Sequence, residues 1–526
     1  MHWRGKANNP LPPGGVNPGF SNTGNQHKIT MHYWLGIDCG GTFIKAALYR
    51  QNGEETALAR RNLPILSPQP GQAERDPQRL WETCAAVIRE AVAHVDPKDI
   101  AAVGISAQGK GLFALDRDGA PLGNGILSSD QRALSVVKAW QAAGIPETLY
   151  PLTRQTLWTG HPVAILRALK EQEPARYAAI AAVLMSHDYL RYRLTRHIAC
   201  ERTNISESNL FHFDRGSYDP QLAALLGIPE ISAALPPLIG ATDIAGRVTA
   251  EAAAQTGLAV GTPVVGGLFD VVSTALCAGL RDESTLNVVL GTWSVVTGFT
   301  SHVDDGQTLP FVYGRSATPG QYIVHEASPT SAANLEWLTA LLGEHDYAAI
   351  NAAVAALPPA TGSVYFVPFL YGSNAGLGMQ AGFYGLQSLH GRAHLYQAVY
   401  EGVIFSLMHH LERMRVRFPA ARTLCVTGGP ARSAVWMQML ADISGQTVET
   451  PHIAETGCLG AALAAMAGSG AYPDCATAAA AIHPAINSYQ PAPALADAYR
   501  EKYRRYRLLV AHLRAYQDAV NNPNVN

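Results

Sequence analysis

The sequence predicts a duplicated α/β fold with a cleft between its two halves. The chain has 526 residues, more than one hydrophobic core usually serves, so two or more domains are expected. Residues 33–49 and 284–299 each have the pattern of a β-hairpin whose apolar strands are joined by a glycine-containing turn. A further strand that ends at a glycine follows each hairpin, at residues 100–109 and 423–429. Internal similarity of this kind is typical of a duplicated architecture.

The composition is that of a soluble globular protein and argues against several classes of function. Hydrophobic residues make up 48% of the chain, charged residues make up 15%, and the formal net charge is −2. A protein that binds nucleic acid usually carries a strong basic excess, so no nucleic-acid partner is expected. The seven cysteines include no C-x-x-C pair, which argues against a disulfide framework or a zinc ribbon and favours the cytoplasm.

The two ends of the chain differ in composition from the middle. Residues 1–30 are rich in Pro, Gly and Asn and lack the apolar run of a signal peptide, so we expect a disordered extension. One domain is then expected over residues 31–275 and a second over 276–515. Residues 516–526 are expected to be a flexible tail.

Hydrophobic periodicity predicts the helices that connect these strands. Four segments have a helical pattern: 77–94, 161–183 with a break near Pro174, 393–414 as a long amphipathic helix, and 499–517 as a docked helix with a solvated basic face. The apolar segment 257–280 contains Pro263 and Asp270. Because an acid at mid-bilayer is costly, we predict a buried strand, a turn and a packed helix there, and no membrane partner.

The first hairpin carries the residues of a phosphate-binding turn. Gly40 and Gly41 allow a sharp turn that brings backbone N–H groups close to an anion, and Thr42 adds a hydroxyl donor. Lys45 could add a positive charge, although strand alternation does not decide where it points. Asp38 ends a buried strand, where a bare carboxylate is costly, and coordination of Mg²⁺ would offset that cost. The alternative is an ordinary hairpin in which Asp38 caps the turn.

The second half offers matching turns. In LGTWS, Gly291, Thr292 and Ser294 supply small donors at the equivalent place, so each half would contribute one turn to a nucleotide. In TGGPARS, Gly428 and Gly429 precede a helix whose free N–H groups would allow an adenosine to approach closely. Each glycine pair taken alone more often marks an ordinary turn.

The motif GGLFD places a carboxylate, Asp270, between the two halves. Phosphoryl transfer needs such a group to orient the attacking hydroxyl and to accept its proton. The alternative is that Asp270 caps a helix that starts near Val271, and both roles can hold together.

From Tyr33 to about residue 515 the chain resembles the FGGY family of carbohydrate kinases. The motifs that carry the resemblance are GIDCGGT, VGISAQGKGLFALD, GGLFD, LGTWS and VTGGPARSAVWMQMLADISG with ETGCLGAALAA. The resemblance implies two actin-like (ribonuclease H-like) ATPase domains with an interdomain cleft, ATP and Mg²⁺ as cofactors, and a small-molecule sugar as acceptor. The stretches SAQGKGLF and ILSSDQRA are similar to those of members that phosphorylate L-xylulose. This similarity implies transfer of the ATP γ-phosphate to the C5 hydroxyl of that ketopentose, and it leaves a homodimer open.

The resemblance also implies a role for each matching position. Asp38 would hold Mg²⁺, directly or through water, and Asp270 would be the general base beside the sugar. The positions implied for ATP are Gly40, Gly41, Thr42, Gly291 and Thr292 at the phosphates, and Gly428, Gly429 and Ser433 at the adenosine. The positions implied for the sugar are Gln108, Gly109, Lys110, Asp130 and Arg132.

The sugar-side loop departs from common patterns of the family. Residues 108–110 are Gln-Gly-Lys, where kinases of D-xylulose resemble Gln-Met-His and glycerol kinases resemble Gln-Arg-Glu. We expect Gly109 to leave room and Lys110 to bring a cation with three donors, which argues against D-xylulose and glycerol. The alternatives are a kinase for another ketose or polyol (D-xylulose, L-ribulose or erythritol) and an actin-like ATPase without a sugar acceptor.

Two roles are open for one histidine of the first half. His161 precedes Pro162 at the expected start of a helix. We expect a hydrogen-bonded core or cap histidine there, with a place in the sugar pocket as the weaker alternative. No H-E-x-x-H spacing occurs, so a transition-metal site is not expected.

Overall fold

A computed structural model describes residues 32–280, 282–291, 293–304, 310–376 and 378–521 of the chain. The extension predicted over residues 1–30 lies outside these ranges, and so does Thr292. The last helix reaches Asn521, so residues 516–521 of the predicted tail are helical, and residues 522–526 lie outside the described part.

The first half contains one large sheet, small two-stranded ribbons and the helices that cover them. Its strands are β1 (Tyr33–Cys39), β2 (Phe43–Tyr49), β3 (Glu55–Asn62), β4 (Glu74–Arg75), β5 (Ile100–Ala107), β6 (Phe113–Leu115), β7 (Gly125–Ile126), β8 (Ala182–Leu184), β9 (Cys200–Glu201), β10 (Phe211–His212), β11 (Ser217–Tyr218), β12 (Leu238–Ile239), β13 (Ile244–Arg247), β14 (Pro263–Val265) and β15 (Leu268–Phe269). Its helices are α1 (Pro77–Ala91), α2 (Leu134–Ala142), α3 (Ile145–Thr153), α4 (Pro162–Gln172), α5 (Pro174–Ala178), α6 (Ser186–Thr195), α7 (Arg202–Ile205), α8 (Pro220–Leu225), α9 (Ala250–Thr256) and α10 (Asp270–Cys277).

The large sheet of the first half has the order β13–β14–β5–β1–β2–β3, and β15 also pairs with β5. β1 and β2 form the predicted antiparallel hairpin, and β5 runs parallel to β1. The apolar residues of β1 explain why it lies centrally, since Leu35 and Ile37 are fully buried in one core cluster with Leu80 and Trp81 of α1. Parallel neighbours end at the same edge, which is where the polar residues after β1, β5 and β15 meet.

The second half repeats the arrangement. Its strands are β16 (Thr285–Leu290), β17 (Ser294–Thr300), β18 (Val312–Arg315), β19 (Tyr322–Ser328), β20 (Tyr365–Val367), β21 (Gly382–Tyr384), β22 (Thr423–Thr427), β23 (Thr447–Pro451) and β24 (Ile486–Tyr489). Its helices are α11 (Ala333–Leu342), α12 (Tyr347–Ala355), α13 (Arg392–Arg417), α14 (Ala434–Ser444), α15 (Thr456–Gly468), α16 (Cys475–Ala480) and α17 (Ala496–Asn521).

The large sheet of the second half has the order β18–β19–β17–β16–β22–β23–β24. β16 and β17 form an antiparallel hairpin, and β22 lies parallel to β16. The strands β17, β16 and β22 are therefore arranged in the same way as β2, β1 and β5 in the first half. The duplication predicted from the two glycine-turned hairpins is confirmed.

Helix α15 joins the two halves, because it packs directly on the sheet of the first half. Two glycines permit this close approach: a Cβ at Gly36 of β1 would overlap the carbonyl oxygen of Cys458, and a Cβ at Gly104 of β5 would overlap that of Ala461. Apolar residues of both halves share one buried cluster there, for example Leu268 with Leu463. The N-terminus of α15 is thereby held at the edge of the first sheet.

Two of the predicted helices differ from those in the structure. Residues 396–408 of α13 are all buried, so this helix is not amphipathic as predicted; the sheet and neighbouring helices cover it on several sides. The end of the predicted helix 161–183 is instead strand β8, after α4 and α5. The predicted domain boundary at residues 275–276 falls inside α10, and the division itself stays a prediction.

Among the described residues, no helix combines the length and apolar character that a bilayer crossing requires.

Candidate active site

Two carboxylates converge at the edge of the first sheet. Asp38 lies opposite Ser106 of β5, and Leu268 of β15 lies opposite the same serine on the other side. Asp270 follows β15 by one residue and begins α10. Adjacent strands are about 4.8 Å apart, so this register brings both acids to the same strip of the sheet edge.

Burial and neighbouring charges raise the pKa of both acids. Burial is the main cause that raises the pKa of Asp38 to about 6, with Lys45 opposing it and Glu455 adding to it. Burial also raises the pKa of Asp270 to about 7, and the charge of Asp38 raises it further. Like charges have this effect only at short range in a poorly solvated place. The charge of Asp38 therefore acts on Asp270, which agrees with the register that brings both acids to one edge of the sheet.

The helix-cap alternative for Asp270 is not what the structure shows. α10 begins at Asp270 itself, its N-cap residue is Phe269, and no side-chain cap is formed. The backbone N–H of Val271 nevertheless acts on the Asp270 carboxylate and lowers its pKa somewhat. The carboxylate thus interacts with the helix start and stays available to a ligand.

Asp38 has a further set of neighbours from the second half. Lys45 Nζ donates to Glu455 Oε2 at 2.5 Å, so Lys45 points along the edge of the sheet toward α15 and its charge also reaches Asp38. Gly457 in the first turn of α15 lies against the Asp38 carboxyl group, where a Cβ would overlap it. The start of a helix, with its free N–H groups, therefore faces this acid.

An arginine side chain holds the first glycine turn in place through hydrogen bonds to its carbonyl groups. Arg75, only 1% exposed, donates from Nη1 to the Gly40 carbonyl at 3.3 Å and from Nη2 to the Gly41 carbonyl at 2.5 Å. Because Arg75 holds the two carbonyls on one side of the turn, the opposite side remains accessible, and Gly41 and Thr42 are exposed. Sequence analysis did not identify Arg75, because nothing in its local pattern shows that it reaches back to this turn.

The second set of glycine turns also forms one cluster. The N–H of Gly291 donates to the Trp293 carbonyl at 3.0 Å, and the Gly291 carbonyl accepts from Ala332 at 3.1 Å. Gly428 has a positive φ of 101° and packs on the carbonyl of Leu290, where a Cβ would overlap it. The turns after β16 and β22 are therefore neighbours, as expected for one nucleotide-binding surface.

Of the residues after Gly428, some are exposed and others are engaged in hydrogen bonds within the fold. Gly429 is exposed and begins a short 3₁₀ turn, Gly429–Arg432. The Ser433 hydroxyl caps α14 by accepting from the Trp436 N–H at 3.2 Å, and it donates to Asn351 Oδ1 at 2.6 Å. Its hydroxyl is thus used within the fold, and its place beside an adenosine stays a prediction.

The sugar-side loop is more tightly packed than expected. Gln108 donates its backbone N–H to the Cys39 carbonyl at 3.0 Å, which ties the loop to the first glycine turn. Gly109 lies against the ring of Phe269, where a Cβ would overlap the aromatic carbons. The expectation that Gly109 leaves room for a sugar is therefore wrong, because Phe269 fills that space.

Lys110 is held in an unusual backbone conformation. Its φ of 63° is in the left-handed region, which a residue with a side chain adopts at a cost. Its N–H donates to Asn204 Oδ1 at 3.0 Å, and its Nζ donates to Glu207 Oε2 at 2.7 Å. These bonds from the segment 202–209 hold the ammonium group in one place.

Glu207 links the two halves of the molecule through its carboxylate. It is fully buried, and His325 of β19 lies with Nε2 at 2.9 Å from Oε2 and 3.0 Å from Oε1. Burial alone would raise its pKa, but His325 and Lys110 outweigh burial and lower the pKa to about 2. Sequence analysis missed Glu207 and His325 because they are 118 residues apart and belong to different halves.

Asp130 and Arg132 lie in a separate buried network. The Asp130 carboxylate accepts from Ala73 N at 2.7 Å, Arg132 N at 2.8 Å and Arg132 Nε at 2.9 Å. Arg132 Nη2 also donates to Glu74 Oε1 at 2.5 Å. Their polar groups are thus engaged with one another, and the predicted sugar contacts of both residues stay predictions.

The donor set around Asp38 and Asp270 fits a magnesium ion. Two oxygen donors with raised pKa values repel each other, and a divalent cation would relieve that repulsion. Mg²⁺ usually takes one or two carboxylates and completes its shell with water and substrate phosphates. In the described part of the chain, no cluster of three or more His, Cys, Asp or Glu side chains is arranged to hold a metal.

The chain is similar to known proteins over most of its length. Residues 33–277 match the FGGY family of carbohydrate kinases, N-terminal domain, and residues 286–469 match the C-terminal domain of the same family. "Probable L-xylulose kinase" of Pasteurella multocida (strain Pm70) is 62% identical over 487 residues, which cover 92% of this chain and 100% of that protein. "L-xylulose/3-keto-L-gulonate kinase" of Escherichia coli (strain K12) is 58% identical over 490 residues, which cover 93% and 98%.

The solved structures agree with the fold. Xylulose kinase from Rhodospirillum rubrum superposes with a TM-score of 0.81 at 27% identity, covering 93% of this chain and 100% of that one. The predicted fold, two actin-like domains each built on a mixed sheet, is confirmed by this match together with the two domain matches.

Proposed function

Because the chain belongs to the FGGY family of carbohydrate kinases, we propose that it transfers the γ-phosphate of ATP to the C5 hydroxyl of L-xylulose, giving L-xylulose 5-phosphate. Two relatives at 62% and 58% identity bear names that include L-xylulose kinase. Family membership excludes the alternative of an actin-like ATPase without a sugar acceptor. The seven cysteines are all free and buried, which suits an enzyme of the cytoplasm.

The observation that carries the proposal is the convergence of Asp38 and Asp270 beside the first glycine turn. In this proposal the amides of Gly40 and Gly41 hold phosphate oxygens, and the turns at Gly291 and Gly428 approach the nucleotide from the second half. Asp38 holds Mg²⁺, directly or through water. When bound, the ion supplies charge neutralisation at the phosphates.

In this proposal, Asp270 is the general base. Burial raises its pKa to about 7, close to the operating pH, so the carboxylate can accept a proton without a large energetic penalty. It orients the acceptor hydroxyl and receives its proton as the new O–P bond forms and the bond to ADP breaks. Lys110 lies within electrostatic reach of this acid and would contact the sugar.

A second candidate substrate is a ketose that carries a carboxylate. The E. coli relative is named for 3-keto-L-gulonate as well as L-xylulose. Lys110 is the observation that favours it, because an ammonium group held beside the site could pair with such an acid. A neutral pentulose and an acidic hexulose could therefore share the site.

A panel of acceptors tests the proposal. ADP release would be measured with L-xylulose, 3-keto-L-gulonate, D-xylulose, L-ribulose, L-lyxose, erythritol and glycerol, and the product of the best acceptor would be identified by NMR. We expect the highest kcat/KM with L-xylulose and phosphate on C5. Asp270→Asn should lose at least about 100-fold in kcat with little change in nucleotide affinity. A higher kcat/KM for D-xylulose or glycerol, or retention of more than about a tenth of kcat by the variant, would contradict the proposal.

A further inference from the structure

His161 lies beside the sugar-side loop and is built into it. It is the N-cap residue of α4, and its side chain is 2% exposed. The preceding residue, Gly160, accepts a hydrogen bond at 2.9 Å from the N–H of Gly111, which directly follows Lys110. The chain at His161 is therefore tied to the loop that meets the sugar in the proposed function.

The hydrogen bonds of His161 determine which ring nitrogen carries the proton. Its Nδ1 lies 3.2 Å from the backbone N–H of Trp158 and 3.1 Å from Asn209 Nδ2. A backbone N–H can only donate, and the Asn209 amide nitrogen also donates to the Thr156 carbonyl at 3.3 Å. Nδ1 is therefore an acceptor, and the proton of the neutral ring sits on Nε2.

Nε2 is buried and has no hydrogen-bond partner among the described residues. Buried polar groups in folded proteins are nearly always paired, and an unpaired one calls for an explanation. The expectation of a fully satisfied core or cap histidine is therefore met on one side of the ring only. The other side presents a fixed N–H donor.

The surroundings of this donor belong to the candidate site. Burial and the charge of Lys110 lower the pKa of His161 to about 3, with Glu207 opposing and His325 adding to the effect. Lys110 and Glu207 also act on the pKa of Asp270. Lys110 and Glu207 thus act on both His161 and Asp270, and the lowered pKa of His161 favours the neutral ring.

We propose that the Nε2–H of His161 donates a hydrogen bond to an oxygen of the acceptor sugar and thereby selects among sugars. The proposal rests on the proposed function, since it names a further residue of the same site. A site built to bond a hydroxyl rejects analogues without it strongly, because its own buried donor is then left unpaired. His161 is thus a specificity-determining residue rather than a proton-transfer group.

Kinetics with variants and substrate analogues test this role. His161→Phe removes the Nε2–H donor, but it also removes the Nδ1 acceptor for Trp158 and Asn209, so the comparison of analogues described next isolates the effect of the donor. His212→Phe, at another buried histidine of the first half, is the control. We expect His161→Phe to lower kcat/KM for L-xylulose about 10- to 100-fold with an unchanged KM for ATP, while the control stays near wild type. Each enzyme would then be tested with monodeoxy analogues of L-xylulose, and the loss of kcat/KM relative to L-xylulose would be measured for each analogue. For one analogue, this loss should be far smaller in the variant than in the wild type. Equal discrimination by both enzymes across all analogues would overturn the proposal.

A measurement on the wild-type protein avoids any problem of folding. With ¹⁵N-labelled histidine, NMR should show His161 protonated at Nε2, and this resonance should move on addition of L-xylulose. A proton on Nδ1, or a resonance that sugar leaves unchanged, would overturn the assignment. If the wild type phosphorylates no sugar, the proposed function fails; if it does so and His161→Phe keeps full kcat/KM and discrimination, only the role of His161 fails.

Discussion

Replacing Glu207 by Gln should destabilise the folded protein by an amount that follows from the lowered pKa of the Glu207 carboxyl group. The carboxylate has an ordinary pKa of 4.5, and although burial opposes the effect, His325 and Lys110 lower the pKa to about 2 in the fold. At about 1.4 kcal/mol for each tenfold change, this difference corresponds to about 3 kcal/mol of stabilisation of the ionised form. The amide variant removes the negative charge that Lys110 and His325 face in the fold, so the loss should approach that amount.

The pH dependence distinguishes this charge effect from a loss of shape. Because the folded pKa is depressed, the stabilisation is complete above pH 4.5 and is lost as the pH falls toward 2. The difference between wild type and variant in the free energy of unfolding should thus be about 3 kcal/mol at pH 7 and about half of that at pH 3. Guanidinium unfolding followed by fluorescence measures both values.

The control is an exposed ion pair of the same kind. Glu230 pairs with Lys170 at 2.9 Å on the surface, and Glu230→Gln should change stability little, because water screens such pairs. A loss below about 1 kcal/mol for Glu207→Gln at pH 7, or an equal loss at pH 3, would refute the assignment of a buried charge network between the halves.

Two further predictions concern the reaction. The acid limb of the pH profile of kcat/KM should have an apparent pKa near 7, because Asp270 must be ionised to accept a proton and activity should rise with pH through that value. A limb near 4 would show that burial and the charge of Asp38 do not raise the pKa of Asp270. Lys110→Met should raise KM for the sugar, leave KM for ATP nearly unchanged and move the acid limb to higher pH, since Lys110 lowers the pKa of Asp270. Steady-state kinetics across pH check both, with Lys170→Met as the matched control, and a raised KM for ATP alone would remove Lys110 from the sugar side.

Much of the fold follows from local sequence patterns. Strand periodicity and glycine turns are local signals, so the hairpins β1–β2 and β16–β17 and their parallel partners were predictable within a residue or two. The same signals placed Asp38 at the end of a strand, whereas the short strand β15 before Asp270 was not predicted and only the structure pairs it with β5. The long helix α13 shows the limit of this reasoning, because its pattern does not reveal that neighbours cover it on several sides.

The sequence by itself determined the duplicated architecture, the glycine turns and the two acids, because each depends on residues close together in the chain. Only the tertiary structure decided how these are held: Arg75 under the first turn, Phe269 in the space beside Gly109, and the carboxylate of Glu207 between Lys110 and His325. Each of these contacts joins residues far apart in sequence. Their partners are chosen by the packing of whole strands and helices, which no local pattern records.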